Sequence, residues 1–155
     1  MRNKTLQSVL ISVILLSGFT GCCQGSAGYD NILVTRVIDG DTIELAGGER
    51  VRLIGIDTPE IWHSAKSERD MKRAKKDRET IIAMGKEAAR FTRELTLDKR
   101  VRLEFDAERR DMYDRLLAYV YLPDGRMLNA EILKKGYGQL YTFPPNIKYV
   151  DMFIE

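Results

Sequence analysis

Three short β-rich runs, Ile32 to Ile38, Thr42 to Leu45 and Val51 to Ile56, follow one another with only tight turns between them. Asp39-Gly40 separates the first two, and Gly47-Gly48 turns the chain into the third. Such short links join neighbouring antiparallel strands, because a parallel return needs a long crossover. The segment therefore reads as a three-stranded meander. Pro59 ends it, since proline has no N–H to give a central ladder.

Farther along the chain the pattern changes. Ser64 to Glu79 is almost entirely charged or small and reads as a solvated helix or a loop. Ile81, Met84, Ala88, Phe91 and Leu95 then recur at three- and four-residue spacing, which predicts an amphipathic helix. Arg100 to Phe105 alternates polar and apolar residues and reads as a half-buried strand. Leu116 to Leu122 is another strand, ended by Pro123-Asp124-Gly125. Leu128 to Lys135 reads as a short helix with Gly136 at its C-terminus, and Gly138 to Phe143 as a last extended piece. Five short strands with a helix inserted after the third suit a small closed barrel of the OB-fold kind, α+β in class.

At 155 residues the chain holds one domain of ordinary size. Two cysteines and a single histidine, His63, exclude a disulfide framework and a Cys/His zinc site. Gly47-Gly48 has no helix after it, so no dinucleotide-binding loop is present.

Arg2 and Lys4 precede the apolar run Val9 to Leu16, with small residues and Cys22-Cys23 behind it. That order predicts an export signal over residues 1–21, too short to span a bilayer. Phe19-Thr20-Gly21-Cys22 resembles a lipobox, which makes Cys22 the expected lipid attachment point. Residues 22–31 are then a flexible tether and 32–155 the folded domain, outside the cell and held to the membrane surface. Losing residues 1–21 removes two basic residues and no acid, leaving 23 basic against 23 acidic. A neutral domain has no overall field for nucleic acid, so any such binding is local. No obligate protein partner is evident.

The chemistry-bearing residues lie in the turns. Asp39-Gly40-Asp41-Thr42 serves as a hairpin turn, and Asp57-Thr58-Pro59-Glu60 can open a helix. A meander, however, brings the ends of its first and third strands together, so Asp41 and Asp57 can face one another. Two close carboxylates repel unless a cation lies between them, and hard oxygen ligands suit Ca²⁺ or Mg²⁺. Arg52 in the third strand and Arg115 at the start of the fifth add guanidinium forks that match phosphate oxygens.

Val37-Ile38-Asp39-Gly40-Asp41-Thr42, Val51 to Glu60, and Asp111-Met112-Tyr113-Asp114-Arg115 with Leu117 to Tyr121 together resemble the thermonuclease (staphylococcal nuclease) family. The resemblance covers residues 32 to about 146 and implies an OB-fold that cuts DNA and RNA phosphodiesters with Ca²⁺. It implies that Asp41, Asp57 and the carbonyl of Thr58 bind the metal, and that Arg52, Glu60 and Arg115 are catalytic. It implies 3′-phosphate products, and Tyr113, Tyr141 and Phe143 as substrate contacts. Met112 stands where the family often has a lysine, and Phe143 where it has a tyrosine. Of the family's third helix, Ile147 to Glu155 is expected to form only the first turns. A non-catalytic OB module binding nucleic acid or protein, and an inactive truncated homologue, remain open as other readings.

The lipobox makes a direct prediction. Metabolic labelling with a fatty-acid precursor marks the wild-type chain and Cys23→Ser but not Cys22→Ser. Equal labelling of wild type and Cys22→Ser refutes the anchor.

Overall fold

The structure is a computed structural model and describes residues 28–61 and 77–155. The export signal, Cys22 and most of the charged stretch from Ser64 lie outside the described residues. The first three strands are β1 (Ile32–Asp39), β2 (Thr42–Leu45) and β3 (Arg50–Leu53). They pair antiparallel in sequence order, as the short turns require. A bulge in β1 lets Val34 and Val37 both face inward despite their three-residue spacing. Strands β5 (Arg100–Glu104) and β6 (Leu116–Tyr121) complete a closed barrel in the order β1-β2-β3-β6-β5. The β3–β6 pair is parallel and the other pairs are antiparallel. Closure pairs every barrel strand on both sides and surrounds a core of Val34, Ile43, Leu45, Val51, Leu53, Val101, Leu103 and Val120.

The third predicted strand is not continuous. Gly55 takes a left-handed φ of 81°, which a side chain resists, and the chain breaks there into β3 and β4 (Ile56–Asp57). β4 leaves the barrel and pairs with β7 (Gln139–Leu140). Buried Asn129 braces the break: its Nδ2 donates to the Ile54 carbonyl at 2.8 Å, and its Oδ1 accepts from Val120 N at 3.0 Å. It projects from the short helix α2 (Leu128–Lys134), which packs on β6.

Helix α1 (Arg78–Thr96) fulfils the periodicity reading, with Asp77 as N-cap accepting from Thr80 N. Its closest-packed stripe differs from the large residues that mark it in sequence. Gly85, Ala88, Ala89, Thr92 and Thr96 are buried along with Ile81, whereas Met84, Phe91 and Leu95 lie half-buried at the flanks. Small residues let the helix approach backbone. Thr92 Oγ1 donates to the Gly40 carbonyl at 2.7 Å, and a Cβ on Gly40 would fall 2.7 Å from Ala88 Cβ.

At both chain ends of the domain, short segments dock on the barrel. Tyr29, expected in the tether, stacks edge-on against Phe105 at 4.9 Å, and its carbonyl accepts from Leu103 N. The C-terminal helix α3 (Val150–Ile154) is one short turn. Tyr149 anchors it by donating to Glu104 Oε1 at 2.7 Å, and the Tyr149 ring meets Tyr119 at 4.6 Å. Among the described residues no helix is long and apolar enough to cross a membrane.

Gly85 tests the tight seat of α1. On an open helix face, Gly→Ala gains about 1 kcal/mol. Here the new Cβ would lie 2.6 Å from the Glu60 carbonyl oxygen and 2.7 Å from that of Pro59. Backbone cannot swing aside, so Gly85→Ala destabilises by about 1–3 kcal/mol, as overpacking does. Urea unfolding measures it, and a gain in stability refutes the packing account.

Candidate active site

Asp39 closes the first turn by accepting from Asp41 N at 3.1 Å, a local bond that aspartate side chains favour. The turn points Asp41 inward under α1, and Asp41 is only 3% exposed. Its Oδ2 accepts from Thr58 N at 2.7 Å and from Thr58 Oγ1 at 3.0 Å, while Thr42 Oγ1 donates to Oδ1. Arg52 lies across from Thr42 in the β2–β3 register, one position from Asp41. One of its terminal nitrogens pairs with Asp41 Oδ1 and the other donates to Asp57 Oδ1 at 2.9 Å. The two carboxylates predicted to converge do so, on one guanidinium.

The electrostatics follow. Burial works against the Arg52 charge, but Asp41, Asp57 and Asp39 together outweigh it and hold the guanidinium more firmly protonated than usual. Burial, then the charge of Asp41, pushes the Asp39 carboxyl up to about 7. Three carboxylates, those of Asp41, Asp57 and Asp39, thus act on the one guanidinium of Arg52. Carboxylate oxygens are the donor set a hard divalent cation takes. Among the described residues, no three acidic, histidine or cysteine side chains form a ready-made metal cage. Glu60 is half-buried three residues after Asp57, with its backbone against Gly85.

Arg115 arrives from the other side of the parallel pair, just ahead of β6. Asp111 Oδ2 accepts from its Nε at 2.7 Å and pairs with Nη2 at 2.7 Å. Asp111 Oδ1 takes Tyr113 N at 2.9 Å and Arg115 N at 3.0 Å, so one carboxylate fixes the loop and the arginine together. Burial opposes the Asp111 charge, but these bonds from Arg115 and Tyr113 outweigh it and lower its pKa.

Arg52 and Arg115 open onto one cleft of about 470 Å³ on the outside of the barrel. Tyr113, Tyr141, Phe143 and Met112 line it as well. These four are 71%, 50%, 67% and 87% exposed, so their apolar surfaces are available to a ligand. Buried Asn146 holds the Phe143 segment in place, exchanging bonds of 2.8 and 3.0 Å with the backbone of Glu108. Asp41, Asp57, Thr58 and Glu60 are not in the lining of this cleft. Asp41 and Asp57 connect to it through Arg52, and Thr58 connects through Asp41.

Sequence reasoning missed Asp111, Asn129 and Asn146 as positioning residues. Asp111 carried a signal, four residues before Arg115 in a polar loop. The two asparagines carried none, because their partners are backbone groups remote in sequence.

A closed five-stranded barrel with a cleft of arginines and aromatics on its outer face is an OB-like α+β domain. The family model described as staphylococcal nuclease homologue matches residues 50–154, and the chain belongs to that family. Over 123 residues it is 42% identical to a thermonuclease of Staphylococcus intermedius, covering 77% of this chain and 65% of that protein. It is 38% identical to the endonuclease YncB of Bacillus subtilis, covering 79% of this chain and 54% of that protein. A thermonuclease of Staphylococcus hyicus is 37% identical, with 80% and 70% covered. The chain spans between about half and two thirds of the length of the first two.

Asp111→Asn tests the loop anchor. A carboxylate whose folded pKa is depressed adds stability above its unfolded pKa of about 3.9 and loses it as pH falls through the folded value. Asp111→Asn is therefore less stable than wild type at pH 7 by about 1–3 kcal/mol, the worth of hydrogen bonds to a charged group. The gap closes below pH 4. A gap that does not change with pH between 7 and 3 refutes the role.

Proposed function

We propose that this protein is an exported nuclease that hydrolyses phosphodiester bonds of DNA or RNA with Ca²⁺ and leaves 3′-phosphate products. The observation that carries the reading is the pair of arginines opening on one cleft, one of them locked to two converging carboxylates. The family membership and the names thermonuclease and endonuclease of its relatives support the same chemistry. The export signal and a lipid anchor at Cys22 rest on the sequence pattern of residues 1–23.

Asp41, Asp57 and the carbonyl of Thr58 would hold the Ca²⁺. When bound it supplies charge neutralisation at the scissile phosphate and acidifies nearby water. Thr58 keeps Asp41 aimed by donating its N–H and hydroxyl to Oδ2. Glu60 accepts or orients the proton of the attacking water. Arg115, held by Asp111 through Nε, presents its remaining N–H groups to the equatorial phosphate oxygens as charge builds there. Arg52 contributes in the same way from the neighbouring strand β3. Tyr113 contacts phosphate, while Tyr141 and Phe143 offer exposed rings on which bases stack.

Three substitutions test the assignment on a fluorescent oligonucleotide. Ca²⁺ switches cleavage on and EGTA switches it off. Arg52→Lys and Arg115→Lys keep the charge but lose the planar fork and fall roughly 10²–10³-fold in kcat. Glu60→Gln falls roughly 10²–10⁴-fold. Near-wild-type turnover in any two, at equal folded fraction, overturns the reading.

A further inference from the structure

A second, smaller cavity of about 320 Å³ adjoins the cleft. Tyr113 and Arg115 line both spaces, so they form the wall between them. The far side of the small cavity is the Gly47-Gly48 turn and Arg50. Arg50 is exposed, and no ion pair or hydrogen bond engages its guanidinium among the described residues. The acids on this lining are differently placed. Glu49 and Asp114 are both taken by Arg110, at 2.9 and 3.2 Å. Arg115 is held by Asp111. Arg50 is thus the cation of the cavity with all its donors uncommitted.

The barrel places Arg50 on the same outer face as the two arginines of the cleft. Val51 and Leu53 face the core, so Arg50 and Arg52 share the outer face of β3. They stand two positions apart, about 6.6 Å along the strand. The parallel register pairs Val51 with Leu116, which puts Arg50 beside Arg115 one position earlier. On this outer face Arg50 and Arg52 thus follow one another along β3, and Arg115 lies beside Arg50 on the neighbouring chain segment.

We propose that Arg50 and this cavity form an additional substrate subsite, which grips the phosphate of a nucleotide beyond the scissile one. The proposal rests on the nuclease reading and adds to it a preference for longer strands. The loop between β2 and β3 thereby becomes part of the substrate track, and Tyr113 sits between two adjacent subsites.

The test compares wild type, Arg50→Ala and Arg50→Lys on fluorescein-labelled oligothymidylates of two and eight nucleotides. Arg50→Ala loses most of the wild-type advantage of the octamer over the dimer in kcat/KM, through a several-fold rise in octamer KM. Arg50→Lys keeps part of that advantage, because a point charge still meets phosphate. Octamer binding without Ca²⁺, by anisotropy, shows a log–log salt slope smaller by about 0.7 in Arg50→Ala, the loss of one single-strand phosphate contact. Equal effects on dimer and octamer, or an unchanged salt slope, overturn the subsite while leaving the nuclease reading standing. Wild type that cleaves neither substrate with Ca²⁺ overturns the nuclease reading itself. Thermal melts of the variants match wild type, since the Arg50 side chain holds no other part of the fold.

Discussion

The guanidinium of Arg52 is the point on which this end of the molecule depends. It pairs with Asp41 from the β1–β2 turn and with Asp57 from β4, while its own strand is β3. Its side chain is 14% exposed and that of Asp41 4%, so these charges are largely removed from water. Taking one partner out of such a cluster typically costs about 3–5 kcal/mol, because the remaining charge stays buried without its counter-ion. The same contacts that hold three chain segments together also set the geometry of the acids. Stability and site are one arrangement here.

Around that point the fold adds rigid supports, each from a different element. Thr92 of α1 holds the Gly40 carbonyl, and the small residues of the helix let it close on the turn and on the backbone of Pro59 and Glu60. Thr58 fixes the Asp41 carboxylate by two bonds. Asp111 does for Arg115 what Thr58 does for Asp41, satisfying loop backbone and side chain with one carboxylate. Preorganisation of this kind is what transition-state stabilisation requires, since groups already aimed cost nothing to align during reaction.

The cleft is divided in chemistry. Its inner end is charged and tightly hydrogen-bonded, and its rim is apolar, with Met112, Tyr113, Tyr141 and Phe143 exposed. For a nucleic-acid ligand the first end suits phosphate and the second suits base rings. A domain with balanced charge attracts a polyanion weakly at long range, which leaves affinity to these local contacts.

Much of this was legible in the chain itself. The meander, the amphipathic helix and the alternating strand at Arg100 follow from turn residues and periodicity, which act over a few neighbours. Asp41, Asp57, Arg52 and Arg115 stood out because acids and arginines flanked strands whose ends a meander must bring together. The sequence alone did not show that Gly55 breaks the third strand, because its left-handed turn is stabilised by Asn129 from a distant helix. It did not show that α1 seats on Gly85 and Ala88 instead of its larger residues, since close approach depends on the backbone opposite. Nor did it show that Arg52, Asp41 and Asp57 share one ion-pair cluster, or that Arg50 faces a cavity beside Arg115. Those are relations between strands in register, and only closure of the barrel fixes the register.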